Sequence, residues 1–371
     1  MTRKSIKGFA WAVILLTVGG SGHRAMAEAQ QFESFADWCE NRESLTSAAR
    51  HTVEVLLREA GTGDCQLAQR QLKSFAYLNL RGKQIKDITP VSSLTNLVMI
   101  NLSENEIADI TALSPLTNLA GLYLWENEVA DITPLSSLTN LTAINISENK
   151  IKDITLLSSL TNLTWLSLGG NEIKDITPLS SLTNLTELSL GGNEIKDINS
   201  LASLTNLRVL SFNRNKVKDT DITPVTSLAN LTWLSLNGNE IEDITPLASM
   251  TNLTTLSLSG NKIKDTTPLA SLTNLTWLYL DRNEIEDITP LASLIDITGI
   301  NLSENEVEDI TPLASLMNLQ VLNLVGNEIK DITPLSSLTN LATLFLWGNP
   351  KLVNQTCPIE PQSVCLFEPF E

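Results

Sequence analysis

Histidine, cysteine and basic residues are scarce in this sequence, and each shortage argues against a class of function. Its 371 residues include only two histidines and four cysteines. Because His51 is the single histidine after residue 27, the sequence offers no histidine metal cluster and no Ser–His–Asp or Cys–His set. Lysine and arginine number 25 against 42 acidic residues, and the net charge of −17 disfavours binding to nucleic acid or anionic lipid. We predict a non-enzyme with no cofactor and no metal.

Long apolar runs are absent after residue 20, and the one near the start resembles a secretory signal peptide. A basic segment (residues 3–7) precedes an apolar run (residues 8–20), and Ala25-Met26-Ala27 supplies an A-x-A cleavage site. The run is too short to span a bilayer comfortably, although an uncleaved anchor is the alternative. We expect a mature chain without membrane insertion that is secreted, periplasmic or at the cell surface. Cleavage would change the net charge from −17 to −21, because residues 1–27 hold four basic residues and no acidic one.

The most abundant feature is a repeat that fills residues 75–349. A typical unit contains L-x-x-L-x-L-x-x-N-x-I, followed by D-I-T-P-L or a close variant. The fixed asparagine recurs every 22 residues, with one step of 24, and Lys83 takes its place in a degenerate first unit, which makes thirteen units. The repeated asparagines are Asn105, Asn127, Asn149, Asn171, Asn193, Asn215, Asn239, Asn261, Asn283, Asn305, Asn327 and Asn349.

The repeat predicts local structure directly. Alternation in L-x-L predicts a short strand with one buried face, so Leu166 and Leu168 point inward. A buried asparagine must be hydrogen-bonded, because an unsatisfied buried amide costs about 1–3 kcal/mol. The D-I-T-P-L segment predicts a helical turn capped by Thr177 with Pro178 first. Because Asp175, Asp197 and their equivalents recur at one position of the repeat, we interpret them as turn residues rather than as a glycosidase acid/base pair. The extra residues near 219–221 are interpreted as a bulge.

Stacking such units predicts an α/β solenoid. We expect a curved, right-handed superhelix with a parallel concave sheet, short 3₁₀ or helical convex turns, and disulfide-bearing caps that cover its ends. The predicted divisions are a signal peptide (1–27), an N-terminal helical cap (28–74) with a helix opened by Ser44 and ended by Gly61, the repeat array (75–349) and a C-terminal cap (350–371).

All four cysteines lie outside the repeats. Cys39 and Cys65 precede the array, and Cys357 and Cys365 follow it. The array holds its two ends far apart, so only the pairs 39–65 and 357–365 are within reach of a disulfide. The same separation argues against a four-cysteine metal site. Disulfides agree with the predicted export.

The unit LTNLTxLxLxxNxIxDITPL resembles the 22-residue leucine-rich repeats of the bacterial internalins. It is similar also to the repeats of the eukaryotic protein phosphatase 1 regulators. The cysteine-bearing ends look most like exported leucine-rich-repeat proteins of cyanobacteria. The resemblance implies a curved parallel-β solenoid that recognises proteins on its concave sheet. Internalins usually carry an immunoglobulin-like domain after the repeats, which this sequence does not show, so the resemblance alone does not imply a role in host invasion.

The outward positions of the predicted strands form the candidate binding surface. They lie six, four and two residues before each fixed asparagine or Lys83, and only Arg81, Glu187 and Asp281 among them are charged. Aromatic residues with Ser, Asn and Gly are typical of binding surfaces, and Trp and Tyr are the usual anchors. The candidate contact residues are Tyr77, Tyr123, Trp125, Trp165, Trp233, Trp277, Tyr279, Phe345 and Trp347.

The sequence therefore favours an exported, monomeric protein that binds a protein partner on the concave face. A carbohydrate ligand on the same face is one alternative. A structural cell-envelope protein is another, because aromatics also stabilise sheets by cross-strand packing. Stacked acidic pairs such as Glu286-Asp287 and Glu308-Asp309 could hold Ca²⁺, but a solvated acidic edge is the preferred interpretation.

Overall fold

Three helices precede the sheet in the computed structural model, which describes residues 32–215, 217 and 222–369. They are α1 (Phe35–Glu40), α2 (Ser47–Glu59) and α3 (Cys65–Leu72). The predicted helix start at Ser44 is wrong. Ser44 ends a 3₁₀ turn, and Thr46 caps α2 by accepting a hydrogen bond from the Ala49 N–H at 3.1 Å. The predicted signal peptide and the bulge at residues 219–221 lie outside the described residues.

Within the described residues, fourteen short strands form a single parallel sheet in chain order. Every junction is in register, so Leu166 pairs with Ile144 on one side and Leu188 on the other. The strands are β1 (Tyr77–Asn79), β2 (Met99–Asn101), β3 (Gly121–Tyr123), β4 (Ala143–Asn145), β5 (Trp165–Ser167), β6 (Glu187–Ser189), β7 (Val209–Ser211), β8 (Trp233–Ser235), β9 (Thr255–Ser257), β10 (Trp277–Tyr279), β11 (Gly299–Asn301), β12 (Val321–Asn323), β13 (Thr343–Phe345) and β14 (Cys365–Leu366).

The return segment of each of the first twelve units is a 3₁₀ helix rather than an α-helix. Its cap differs from the prediction: Ile176 precedes the helix, and the Asp175 carboxylate accepts a hydrogen bond from the Thr177 N–H at 2.8 Å. The aspartate therefore caps the turn that Thr177 was predicted to cap. These 3₁₀ helices span Thr89–Ser93, Thr111–Leu113, Thr133–Ser137, Thr155–Ser159, Thr177–Ser181, Asn199–Ser203, Thr223–Ser227, Thr245–Ser249, Thr267–Ser271, Thr289–Ser293, Thr311–Ser315 and Thr333–Ser337. One more, Gln362–Val364, lies after the repeats.

Leucine and isoleucine columns fill the space between the sheet and the 3₁₀ helices. In the fifth repeat, Leu168 and Ile173 are fully buried, as is Leu179 of the following return turn, while Leu166 is 1% exposed. Burial of such a side chain contributes about 1.5–3 kcal/mol relative to leaving it exposed. Since every unit repeats these positions, the same core continues from one rung to the next.

The fixed asparagines join each unit to the one before it. The Asn171 Nδ2 donates to the carbonyl oxygens of Leu168 and Ile146, both at 3.0 Å, and its Oδ1 accepts from the Ile151 N–H at 3.0 Å. The carbonyl of Leu168 in turn accepts from Asn193 at 3.0 Å. This column of side chains therefore supplies hydrogen bonds to buried turn backbone, which would otherwise be costly to bury.

A second asparagine column follows the 3₁₀ helices. The Asn162 Nδ2 donates to the Thr139 carbonyl of the preceding unit at 2.9 Å, and the equivalent bond recurs along the array. At Asp296 the column is interrupted, because a carboxylate has no N–H with which to reach the Thr273 carbonyl. Sequence analysis did not single out this column, although the recurring Thr-Asn of LTNL carries its signal.

Helices α1 to α3 close the open end of the array. The His51 Nε2 donates to the carbonyl of Lys83 at 2.7 Å, and the Thr52 hydroxyl donates to the carbonyl of Asp87 at 2.6 Å. The helix thus satisfies first-unit backbone that has no preceding unit. Cys39 is bonded to Cys65 and Cys357 to Cys365, as predicted. Strand β14, which sequence analysis missed, belongs to the segment closed by the second disulfide.

Candidate binding face on the sheet

The concave face is the surface formed by the outward side chains of the strands and by the residue that follows each strand by two positions. In β5 the outward Trp165 and Ser167 are partly exposed, while Leu166 between them is buried. The strand alternation therefore sets which residues reach this surface. All nine predicted aromatic residues occupy such positions, and they fall into three groups along the array.

The first group, here called the N-terminal cluster, consists of Tyr77, Arg81, Tyr123, Trp125 and Trp165. The guanidinium carbon of Arg81 lies 5.6 Å from the centroid of the Trp125 ring, a cation–π distance. The Tyr123 and Trp165 rings are 6.1 Å apart with a tilt of 42°. Tyr77 is 51% exposed. The cluster therefore offers an accessible aromatic surface that includes one guanidinium group.

Arg81 is held in place by an ion pair with Glu104. The hydrogen bond and charge of Glu104 raise the pKa of Arg81, and the same hydrogen bond lowers the pKa of Glu104. Both groups therefore remain ionised across the physiological range. Glu104 has a φ of 57°, a left-handed conformation that costs a non-glycine residue about 1–2 kcal/mol. Glu104 could not be predicted from the repeat pattern, because glycine occupies the equivalent position in many other units.

The second group is Trp233, Trp277 and Tyr279, which border an open groove of about 550 Å³. The Trp277 and Tyr279 rings are stacked, with centroids 6.1 Å apart and an interplanar angle of 13°. The groove is lined by Asn213, Trp233, Ser235, Asn237, Thr255, Ser257, Ser259, Trp277 and Tyr279. None of these residues is aliphatic or charged.

The third group is Phe345 and Trp347 at the last repeat. Their rings meet edge to face, with centroids 5.5 Å apart and an interplanar angle of 87°. The backbone N–H of Leu346 donates to the carbonyl of Leu366 at 2.8 Å, so β14 covers the sheet beside this pair. The predicted aromatic residues thus lie on one face but do not converge on one point.

The acidic edge is occupied by ion pairs. Glu308 pairs with Lys330 and, at 3.4 Å, with Lys351, and the hydrogen bond from Lys330 lowers the pKa of Glu308. The neighbouring Asp309 is held by the Thr311 N–H at 2.8 Å. Among the described residues, no group of three or more His, Cys, Asp or Glu side chains is arranged to hold a metal ion.

These features define the class of protein. The family model of leucine-rich repeats in pairs of copies matches residues 117–159, 161–203, 183–227, 229–271 and 318–359, more than half of the chain. Together with the repeated strand, the 3₁₀ return and the asparagine ladder, this match shows that the chain belongs to the leucine-rich-repeat family.

Within this family the chain is internalin-like. It is 34% identical to the internalin InlF of Listeria monocytogenes, with a TM-score of 0.79 over 86% of this chain and 95% of that one. The functional domain of InlJ from the same organism shares the fold at 20% identity and a TM-score of 0.60, over 85% and 75% of the two chains. The plant peptide hormone receptor RGFR1, solved with RGF2, also shares the fold, at 22% identity and a TM-score of 0.60, over 76% and 52%. No curated protein sequence matches the chain.

Proposed function

We propose that this chain is an exported, non-catalytic protein that binds a protein partner on its concave face, chiefly through the N-terminal cluster. The observation that carries the proposal is the packing of Arg81 over Trp125 beside Tyr123, Trp165 and the exposed Tyr77. Tryptophan, tyrosine and arginine are the residue types that dominate binding energy at protein interfaces. A mixed aromatic and guanidinium surface of this kind therefore suits a protein partner.

The neighbouring side chain strengthens the proposal. Met99 lies next to Tyr77 in the register of the sheet and is 37% exposed. Methionine and the aromatics are enriched at the centres of protein interfaces. The fold-level likeness to RGFR1, a receptor solved with the hormone RGF2, agrees with a binding role for such a sheet.

Export is supported by the two disulfides, because disulfides persist mainly in oxidising compartments. No helix in the described part of the chain has the length and apolar character needed to cross a membrane. The proposed location is secreted, periplasmic or cell-surface, with the predicted signal peptide as the export signal. The absence of a catalytic histidine set in the sequence supports the non-catalytic role.

Site-specific photocrosslinking tests the proposed contact. We place a photoreactive phenylalanine analogue at Tyr77, on the concave face, and a matched one at Thr183, an exposed residue just after a 3₁₀ helix. The expected result is a protein adduct from position 77 that excess unlabelled chain competes away, and none from position 183. Adducts of equal yield from both positions, or from position 183 alone, would contradict the proposal.

Substitution tests how much Trp125 contributes to the binding energy. We expect Trp125→Ala to weaken the crosslinked partner's binding by at least about 2 kcal/mol, because central tryptophans are typical anchors. Trp277→Ala is the control, since it removes a tryptophan of the same face outside the N-terminal cluster, and it should leave that affinity unchanged.

A further inference from the structure

The groove between Trp233 and Trp277 differs in chemistry from the N-terminal cluster. Its lining consists of aromatic rings, hydroxyls and amides, with no aliphatic side chain and no charge. Serine and threonine are poorly represented among the anchors of protein interfaces, whereas the N-terminal cluster has an arginine and a methionine beside its rings. Flat aromatic faces flanked by hydroxyls and amides suit the apolar ring faces and hydroxyl edges of sugars.

The floor of the groove is preorganised by its own hydrogen bonds. The Asn237 Oδ1 accepts from the Ser257 hydroxyl at 2.7 Å and from the Ser259 N–H at 2.8 Å. The Asn213 Oδ1 accepts from the Ser235 hydroxyl at 2.5 Å and from the Asn237 N–H at 2.8 Å. Both amide oxygens are therefore engaged, which orients the amide groups. Within the described residues the Asn237 Nδ2 makes no hydrogen bond, so it is available to a ligand oxygen.

Trp277 lies flat because the next strand has a glycine beneath it. Gly299 pairs with Trp277 in the sheet register, and a Cβ atom at residue 299 would overlap the six-membered ring of the indole. With glycine there, the ring lies across β11, stacks on Tyr279 and remains 37% exposed. The repeat containing Gly299 departs from the common LTNLT pattern, reading Leu-Ile-Asp-Ile-Thr-Gly. A flat, accessible indole face is the main requirement of a sugar-stacking platform.

The spacing of the two tryptophans favours one kind of chain. Trp233 and Trp277 occupy the same register position two strand intervals apart, on β8 and β10, with Thr255 between them. At about 4.8 Å per interval this separates their backbones by about 9.6 Å. That distance is close to one disaccharide repeat of an extended β-1,4-linked glycan. In such a chain alternate rings present the same face, so rings two apart can stack on the two indoles.

The negative charge of the protein restricts the class of glycan further. Asp281 is the only charged side chain at the outward positions of β8 to β11, and the whole chain carries a net charge of −17. An anionic polysaccharide would be repelled, because like charges raise the free energy of association. We propose that this groove binds a neutral, β-1,4-linked glycan along the solenoid axis, with Gly299 as the residue that positions Trp277. This site goes beyond the proposed protein contact and uses none of its residues.

Calorimetric titration of the full chain with defined tetrasaccharides tests the site. The probes are cellotetraose and chitotetraose, with the α-1,4-linked maltotetraose as the geometric control. We expect at least one β-1,4-linked probe to bind at least about tenfold more tightly than maltotetraose. Trp277→Ala and Gly299→Ala should each weaken that binding by at least about tenfold, because one removes the platform and the other lifts it.

Matched controls separate this site from the N-terminal cluster. Gly121→Ala changes the equivalent glycine on β3, whose Cβ would press only on the flexible Met99, at 3.1 Å, and would make an ordinary contact with Tyr123 at 3.6 Å. Trp125→Ala removes the proposed protein anchor. Both variants should bind the tetrasaccharide as the parent does. The proposal is overturned if neither β-1,4-linked probe binds, if maltotetraose binds equally well, or if Gly299→Ala with an unchanged melting temperature binds normally. A protein partner lost on Trp277→Ala and kept on Trp125→Ala would also overturn it.

Discussion

At the residue scale, one asparagine side chain connects two repeats. Asn171 donates to buried carbonyls in its own unit and in the preceding one, and it is the acceptor for the Ile151 N–H. Some of the carbonyls keep a second donor from a neighbouring asparagine, but the Ile151 N–H has no such substitute within the ladder. Of the groups bonded to Asn171, the Ile151 N–H is therefore the one most affected by loss of that side chain.

Removing that asparagine should destabilise the chain strongly. For Asn171→Ala we expect a loss of about 2–4 kcal/mol, because a buried N–H is left unpaired and several hydrogen bonds are lost. Asn162→Ala is the matched control, since it removes one bond from the exposed second column and should cost only about 1 kcal/mol. Urea denaturation followed by circular dichroism measures both. Equal losses would show that the inner ladder has no special role.

The interruption of the second asparagine column at Asp296 predicts a substitution that increases stability. Asp296→Asn restores the Nδ2 donor that every neighbouring unit uses, as Asn318 does toward the Ile295 carbonyl at 3.0 Å. We expect the variant to be more stable by about 0.5–1.5 kcal/mol, the net value of one hydrogen bond. A shift of the urea midpoint to higher concentration is the readout. A neutral or destabilising result would mean that the Thr273 carbonyl is already satisfied by solvent.

The roles of some residues could be predicted from the sequence and those of others could not, for a physical reason. The inner asparagines and inward leucines recur at fixed spacing, so their role follows from the pattern alone. The fit of Trp277 over Gly299 depends on where one indole ring lies on a neighbouring strand. That is a property of packing between two units, and the spacing of residues along one unit does not contain it.

At the scale of elements, an aspartate recurs before the 3₁₀ helices and caps them by accepting a hydrogen bond from a backbone N–H. Two hydrogen bonds from Thr177 lower the pKa of the Asp175 carboxylate: the one from its hydroxyl has the larger effect, and the one from its backbone N–H the smaller. The same two causes, in the same order, lower the pKa of Asp131, Asp153, Asp243, Asp287 and Asp309. The return turns therefore favour ionised aspartate.

This arrangement predicts a loss of stability in acid. Because each pKa is lower in the folded chain than in the unfolded chain, the stabilisation is fully present above the ordinary aspartate pKa of about 3.9. It is lost as the pH falls through the lower, folded values. We expect the melting temperature to fall steeply below about pH 4. In the Asp175→Asn variant, the melting temperature should depend less steeply on pH in this range. A melting temperature that stays constant from pH 5 to about pH 2 would contradict this account.

The elements that sequence analysis misplaced are those with weak local signals. The start of α2 moved from Ser44 to Ser47 because Thr46, rather than Ser44, has its side chain placed to cap the helix. Serine and threonine are both good caps, so the sequence around residues 44–47 does not choose between them. Strand β14 has two residues and follows no repeat pattern, which explains why it was missed.

At the scale of the whole molecule, the fold could be predicted because the sequence of one repeat determines its strand, its turn and its contacts with the neighbouring repeats. Stacking then follows by repetition. The concave face could be predicted only as a surface, since its outward residues are the positions at which the repeats differ. The positions of the rings were needed to divide it into an N-terminal cluster that contains an ion-paired arginine and a groove lined by uncharged residues.

The N-terminal cluster of the concave face is the proposed protein-binding site. The most direct measurement is affinity capture from envelope and extracellular fractions of the parent organism. It compares the chain with a Tyr123→Ser/Trp125→Ser variant and with a Trp277→Ser control, all three of equal melting temperature. We predict a protein retained by the chain and by the control but lost with the double variant. The same protein retained equally by all three would show that it binds outside the N-terminal cluster.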